Sequence, residues 1–269
     1  MIQTVAVAGA GLIGSSFGLA IKQAGFAGTV LGVSSERSIA AAMQVGAIDR
    51  GCSLEEAAAQ ADLLFLSQPV LAIAETIRRL DPLVKTGALV TDAGSTKRVI
   101  CDAAKGLKRC QFVGGHPMAG KEVRGAAAAD GSLFRDRTWV LTGTADTPLE
   151  LEFRGWLRRI GARELLLDAK THDHLVAWSS HLPQLLSTGL AAAIADTNPA
   201  AARVAGPGLM DMTRLAMSSF DLWSEILETN ADEAGAALDA CIAKLQALRA
   251  DLPGEFAKAS EFSKQLRKK

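Results

Sequence analysis

The chain has 269 residues, of which 49% are apolar and 22% charged, with 29 acidic side chains balancing 29 basic ones. That length supports one large core or two modest ones, and the balanced charge offers no global field to nucleic acid or an anionic membrane. No run is apolar for long enough to span a bilayer, and the absence of tyrosine excludes any phenol-based mechanism.

Met1-Ile2-Gln3-Thr4-Val5 leads into a strand pattern without a basic leader, so no signal peptide is expected. The four cysteines (Cys52, Cys101, Cys110 and Cys241) are far apart and form no CxxC. They read as free thiols of a cytoplasmic protein, with no metal site.

In chain order, Thr4 to Ala8 is a buried strand that enters a glycine turn, followed by a helix from about Leu12 to Ala24. A second strand, Thr29 to Val33, precedes a helix over Arg37 to Val45. Asp62 to Ser67 and Ala88 to Asp92 are further strands, each followed by helical sequence. Gln111 to Gly114 and Thr138 to Thr142 extend the sheet. The alternation predicts an α/β fold with a doubly wound, Rossmann-type parallel sheet. After about Leu167 almost everything reads as Ala- and Leu-rich helix, broken at Pro183, Pro199, Gly206-Pro207-Gly208 and Pro253. Residues 1–167 are therefore expected to form a dinucleotide-binding domain. Residues 168–269 are expected to form an all-helical C-terminal domain for substrate binding and homodimer formation.

Gly9-Ala10-Gly11-Leu12-Ile13-Gly14 matches GxGxxG between the first strand and the first helix. Glycines there permit the tight turn, backbone approach to a pyrophosphate and close helix–strand packing. The helix N-terminus adds unpaired N–H groups and a positive dipole end. The second strand usually ends in an acid that binds the ribose diol, but here the position is Ser34, followed by Ser35, Glu36 and Arg37. Two hydroxyls and a guanidinium suit a 2′-phosphate, so NADP is favoured over NAD. Glu36 keeps the alternative open, either by binding the diol or by favouring a helix start. Ser67 and Pro69, at and after the third buried strand, complete the candidate cofactor contacts.

Four further clusters follow: Asp92-Ala93-Gly94-Ser95-Thr96-Lys97, Gly115-His116-Pro117-Met118-Ala119-Gly120 with Glu122 two residues on, Ser180-His181-Leu182-Pro183, and Asp211-Met212-Thr213-Arg214. With the glycine turn, and in this order, they resemble the prephenate and arogenate dehydrogenase family of tyrosine biosynthesis. The resemblance covers nearly the whole chain, and a minimal, monofunctional form without an appended regulatory or chorismate mutase domain is expected. It implies NAD(P)-dependent oxidative decarboxylation of prephenate, with arogenate as the alternative substrate.

That chemistry requires hydride loss from ring carbon C4, a base for the C4 hydroxyl proton, and loss of CO2 from C1. An imidazole titrating near neutrality suits the base, and the resemblance assigns that role to His116, expected just past a strand end. Ser95 is placed to bind the same hydroxyl or the nicotinamide amide, unless it serves as a helix N-cap. Arg214, with Thr213, suits the ring carboxylate through bidentate pairing. His181 is expected to touch substrate, and Glu122 to gate the pocket or orient a positive substrate group. His172-Asp173 reads as structural, because nine residues of ideal helix place His172 and His181 on opposite faces. His174 reads as solvent-facing and Trp139, Trp156, Trp178 and Trp223 as core, with Trp223 the one candidate pocket wall. Two other readings keep the fold: a small-acid or imine reductase, and a catalytically silent NADP-sensing module. The GHPMAG and SHLP clusters argue against the first, and retention of every candidate catalytic group against the second.

Overall fold

The computed structural model describes residues 1–121 and 123–267. Its elements run β1 (Thr4–Ala8), α1 (Leu12–Gln23), β2 (Thr29–Val33), α2 (Glu36–Gln44), β3 (Arg50–Gly51), α3 (Leu54–Gln60), β4 (Leu63–Leu66), α4 (Val70–Leu80), β5 (Leu89–Asp92), α5 (Arg98–Ala104), β6 (Gln111–Pro117), β7 (Thr138–Thr142), α6 (Pro148–Arg159) and β8 (Arg163–Leu166). The helices α7 (Ala169–Val176), α8 (Leu182–Thr197), α9 (Pro207–Thr213), α10 (Phe220–Thr229), α11 (Ala231–Ala247) and α12 (Leu252–Leu266) complete the chain. Two compact units divide these elements. The first comprises Met1–Val176 together with Met217–Asn230, and the second comprises Ala177–Ala216 together with Ala231–Lys269.

The first unit is built on an eight-stranded sheet in the order β3-β2-β1-β4-β5-β6-β7-β8. Strand order reverses between β1 and β4, the place where a doubly wound sheet opens a crevice for ligands. Alternation along the strands divides the core between the two faces. Val5 and Val7 join Phe17, Phe65, Trp139 and Phe153 on one side, while Ala6 and Ala8 join Leu64, Ile73, Ile77 and Val90 on the other. Phe17 and Phe65 are fully buried, with ring centroids 4.2 Å apart. Burial of each such side chain contributes roughly 1.5–3 kcal/mol.

The sheet departs from the all-parallel expectation at β7, which pairs antiparallel to β6. The connection accords with this: the described residues of 118–137 carry a 3₁₀ turn at Ala126–Ala128 and not the α-helix that usually forms a parallel crossover. β6 consequently runs through Pro117, and its last four residues pair with β7 alone, beyond the end of β5. β3 is two residues long and β8 (Arg-Glu-Leu-Leu) is mostly exposed, so neither carries a periodic signal.

In the second unit Ala177, Leu182 and Ala237 form a small core against Leu186, Leu238 and Cys241. Gln184 Nε2 donates to the Leu215 carbonyl at 2.9 Å, and the Ala216 amide donates to Ser187 Oγ at 3.0 Å. No helix among the described residues is long and apolar enough to cross a membrane.

Close packing of α1 on β1 depends on Gly14. A Cβ there would stand 2.3 Å from the Gly9 carbonyl oxygen and 2.7 Å from Val7 Cγ1. Gly14→Ala is expected to destabilise the protein by about 1–3 kcal/mol through overpacking. In urea denaturation this appears as a lower midpoint at unchanged slope; an unmoved midpoint would refute it.

Candidate active site

Gly9, with φ of +98°, turns the chain out of β1. Ser67, at the end of β4, donates its hydroxyl to the Gly9 carbonyl at 2.8 Å, so its observed role is to hold the glycine turn. Five helices leave this C-terminal edge of the sheet, and protein groups meet the N-termini of four, α3 through Ser53 Oγ, which accepts the Glu56 amide at 3.1 Å. Ser35 Oγ accepts the Ser38 amide at the start of α2 (3.4 Å), and Glu225 of α10 accepts the Leu71 amide of α4 (2.9 Å). Asp173 of α7 accepts the Lys97 and Arg98 amides at the start of α5, at 2.6 and 2.9 Å.

The first helix differs. Its N-cap is Gly11, which supplies no side-chain acceptor, and a Cβ on Gly11 would project into open space. The amides of Leu12, Ile13 and Gly14 and the positive end of α1 are thus set up for an anion. A dinucleotide pyrophosphate fits this cradle. Ser34, Ser35, Glu36 and Arg37 are all exposed after β2. Ser35 is engaged as the α2 cap, and Glu36 occupies the first turn of α2. Pro69 is the exposed N-cap of α4.

His116 lies within β6, opposite Val140 of β7, rather than in a loop past the strand. Its ring is buried, and its Nδ1 is 2.8 Å from His172 Nε2. His172 Nδ1 is in turn 2.7 Å from Asp173 Oδ1. Both residues of the His172-Asp173 pair are fully buried. Burial works against ionisation of Asp173, but hydrogen bonds from the His172 ring and from the Arg98 and Lys97 amides outweigh it and hold the carboxyl below its ordinary value. Burial pushes the His172 imidazole below its ordinary value, against the opposing pull of Asp173. These directions set the tautomers. An ionised Asp173 accepts Nδ1–H of a neutral His172, whose Nε2 then accepts Nδ1–H of His116. In neutral His116 the basic lone pair therefore sits on Nε2.

Ser95 is half-buried in the loop between β5 and α5. It is not a helix cap, since α5 begins at Arg98 and takes its acceptor from Asp173. His181 ends a π-helical turn over Ala177–His181 and is buried, in the second unit. Thr213 and Arg214 also belong to that unit. The Thr213 hydroxyl donates to the Leu209 carbonyl at 2.8 Å, and Arg214 is exposed. Glu122 lies outside the described residues. His174 is exposed, and so is Trp178 at 45%, contrary to its assignment to the core. Trp223 packs half-buried against the second core cluster of the first unit.

Comparison with known proteins decides what this arrangement belongs to. The family model described as prephenate dehydrogenase, nucleotide-binding domain, matches residues 17–163. The one described as prephenate dehydrogenase, dimerization domain, matches residues 168–267. The chain belongs to the prephenate dehydrogenase family. A prephenate dehydrogenase of Lactococcus lactis is 34% identical over 236 residues, which are 85% of this chain and 65% of that protein. The chain thus spans just under two thirds of that relative. A cyclohexadienyl dehydrogenase of Zymomonas mobilis is 31% identical over 256 residues, covering 91% of this chain and 87% of the other. The crystal structure of prephenate dehydrogenase from Aquifex aeolicus, in complex with hydroxyphenyl propionate and NAD+, superposes with a TM-score of 0.86. It is 28% identical, and the alignment covers 99% of this chain and 96% of that one.

Within this prephenate dehydrogenase family chain, the pair that the sequence reading set aside is the one bonded to His116. A signal was present: a His-Asp neighbour pair in an amphipathic helix has to find polar partners if that face is buried. The pair also predicts a pH dependence. A His172 value below the ordinary 6.5 means the unfolded chain takes up the proton first. The associated stability is therefore complete above about pH 6.5 and lost as pH falls toward the folded value. Asp173 adds acid lability only below its ordinary 3.8. Thermal melts should show Tm decreasing between pH 7 and pH 5.5, with a shallower slope in His172→Asn; equal slopes would refute this reading.

Proposed function

We propose that this chain catalyses the NAD(P)-dependent oxidative decarboxylation of prephenate to 4-hydroxyphenylpyruvate, with His116 as the base. The observation that carries the reading is the His116–His172–Asp173 chain, which directs the His116 lone pair to Nε2, on a strand that ends at the same sheet edge as the glycine turn that would hold a dinucleotide. Gly9, Gly11, Leu12, Ile13 and Gly14 would hold the cofactor's pyrophosphate, and Ser34 and Arg37 would face its ribose. When bound, the cofactor supplies the hydride acceptor. His116 Nε2 takes the proton from the C4 hydroxyl as hydride leaves C4. Through His172, the Asp173 carboxylate stabilises the imidazolium so formed, and His172 keeps its own proton on Nδ1. As the C1–CO2 bond breaks, its electron pair aromatises the ring, and the proton on His116 returns to the phenolate oxygen.

Ser95 is proposed to orient the C4 hydroxyl or the nicotinamide amide. Arg214 and Thr213 are proposed to bind the ring carboxylate, with His181 and Glu122 as further substrate contacts. Arogenate differs only in bearing an ammonium in place of the keto group, and the name of the Zymomonas relative keeps it as the second reading. A homodimer through the second unit is proposed from the matching dimerization domain and from exposed Met210, Met212, Phe256 and Phe262. Four free cysteines accord with a cytoplasmic setting.

Initial rates with prephenate and arogenate, each crossed against NAD and NADP, test the activity. His116→Asn keeps the size and one hydrogen bond, and should lower kcat by about 10²–10⁴-fold with dinucleotide binding nearly unchanged. The acid-side limb of the pH–rate profile should disappear with it. A variant that keeps most of its kcat, or the same limb, would move the base elsewhere.

NADP is the proposed cofactor, resting on Ser34 and Arg37 where an acid is usual. Arg37→Ala should weaken NADP roughly ten- to a hundredfold, the size of a charge-assisted contact worth about 1.5–3 kcal/mol, and leave NAD unaffected. Equal losses for both cofactors, or a wild-type preference for NAD, would contradict this.

A further inference from the structure

Asp92 and Lys97 are both fully buried and form an ion pair. Desolvation opposes burying two charges, and apolar side chains of similar volume serve stability as well or better. What distinguishes this pair is where its remaining bonds go. Asp92 Oδ2 accepts the Gly94 amide at 2.8 Å, and Oδ1 accepts the Gly115 amide at 3.0 Å. The Lys97 ammonium donates to the Gly115 carbonyl at 2.7 Å. Gly94 directly precedes Ser95, and Gly115 directly precedes His116.

One carboxylate therefore holds the amide before each of the two candidate reacting side chains, and both polar groups of Gly115 are tied to the same ion pair. Gly115 has no room to shift toward β5, since a Cβ on it would stand 2.4 Å from the Asp92 carbonyl oxygen. Lys97 adds a third link, because its own backbone amide is bound by Asp173 Oδ1, the atom that also orients His172. We propose that the buried Asp92–Lys97 ion pair is a positioning device that sets Ser95 against His116. The proposal rests on the assignment of His116 as the base, and on Ser95 acting beside it. Neither Asp92 nor Lys97 need touch substrate; both act through the backbone of their neighbours.

The test is the double variant D92N/K97M, which removes the pair without stranding either charge. Displacement of a reacting group by about 1 Å costs on the order of 10²-fold in rate, so kcat per folded site should fall by about that factor. KM and the dinucleotide dissociation constant should change little, which marks an interaction expressed in the transition state. A purely structural pair would instead lower Tm and leave kcat per folded site unchanged, and that result would overturn the proposal. Imidazole nitrogen NMR provides a readout that needs no substrate. His116 should hold one tautomer in the wild type and lose that lock in D92N/K97M, whereas an unchanged His116 spectrum would count against positioning. If the wild type turns over neither prephenate nor arogenate while the NMR change is seen, the functional reading fails and the positioning stands. If the double variant does not melt cooperatively, D92E decides, because it keeps both charges but moves the two acceptor oxygens. Intact dinucleotide binding with kcat lowered at least about tenfold supports the proposal; wild-type kcat refutes it.

Discussion

The carboxylate of Asp173 is the interaction on which the rest of the site depends. It accepts the backbone amides of Lys97 and Arg98, the Arg98 Nε–H at 3.2 Å, and the His172 ring. Each hydrogen bond to an ionised group is worth about 1.5–3 kcal/mol, and loss of the acceptor would leave its buried donors unsatisfied. The same carboxylate caps α5, docks α7 onto it and dictates which nitrogen of His172 carries the proton. Asn230 closes the cluster by accepting from Arg98 at 2.7 Å and donating to the Asp173 carbonyl at 2.8 Å.

Capping by protein groups also explains why α1 is the candidate helix for a cofactor phosphate. The helices that follow β2, β4 and β5 begin at the same edge, but Ser35, Glu225 and Asp173 already occupy their first amides. A satisfied N-terminus has little left to offer a phosphate. Two of those caps come from α7 and α10, far along the chain from the helices they serve. The chain supplies its own anions at two dipole ends and leaves the glycine-lined one open.

The reversal at β7 has a comparable consequence. Had β6 stopped at Gly114, His116 would stand on a loop, where side-chain direction is set by little more than Pro117. The antiparallel ladder instead continues through Pro117, so the His116 backbone is held by strand hydrogen bonds opposite Val140. Its ring direction is then fixed from the other side by His172. A base that keeps its orientation loses less entropy at the moment of proton transfer.

By itself the sequence determined the strand–helix alternation, the glycine turn and the identity of the candidate groups His116 and Ser95. These are local properties: two- and 3.6-residue periodicity, the freedom of glycine at positive φ, and the chemistry of individual side chains. Tertiary structure decided the partnerships. His116 meets His172 across 56 residues, Lys97 and Arg98 meet Asp173 across 76 and 75, and Arg98 meets Asn230 across 132. No helical wheel relates such positions, which is why the His172-Asp173 pair read as structural when only its spacing from His181 was considered. β7 runs the other way for a related reason: strand direction depends on the path of the intervening chain, and the described residues between β6 and β7 form no α-helix of the kind that usually carries a parallel crossover. Local pattern sets which groups are available to the site, and only chain closure sets which of them share a proton.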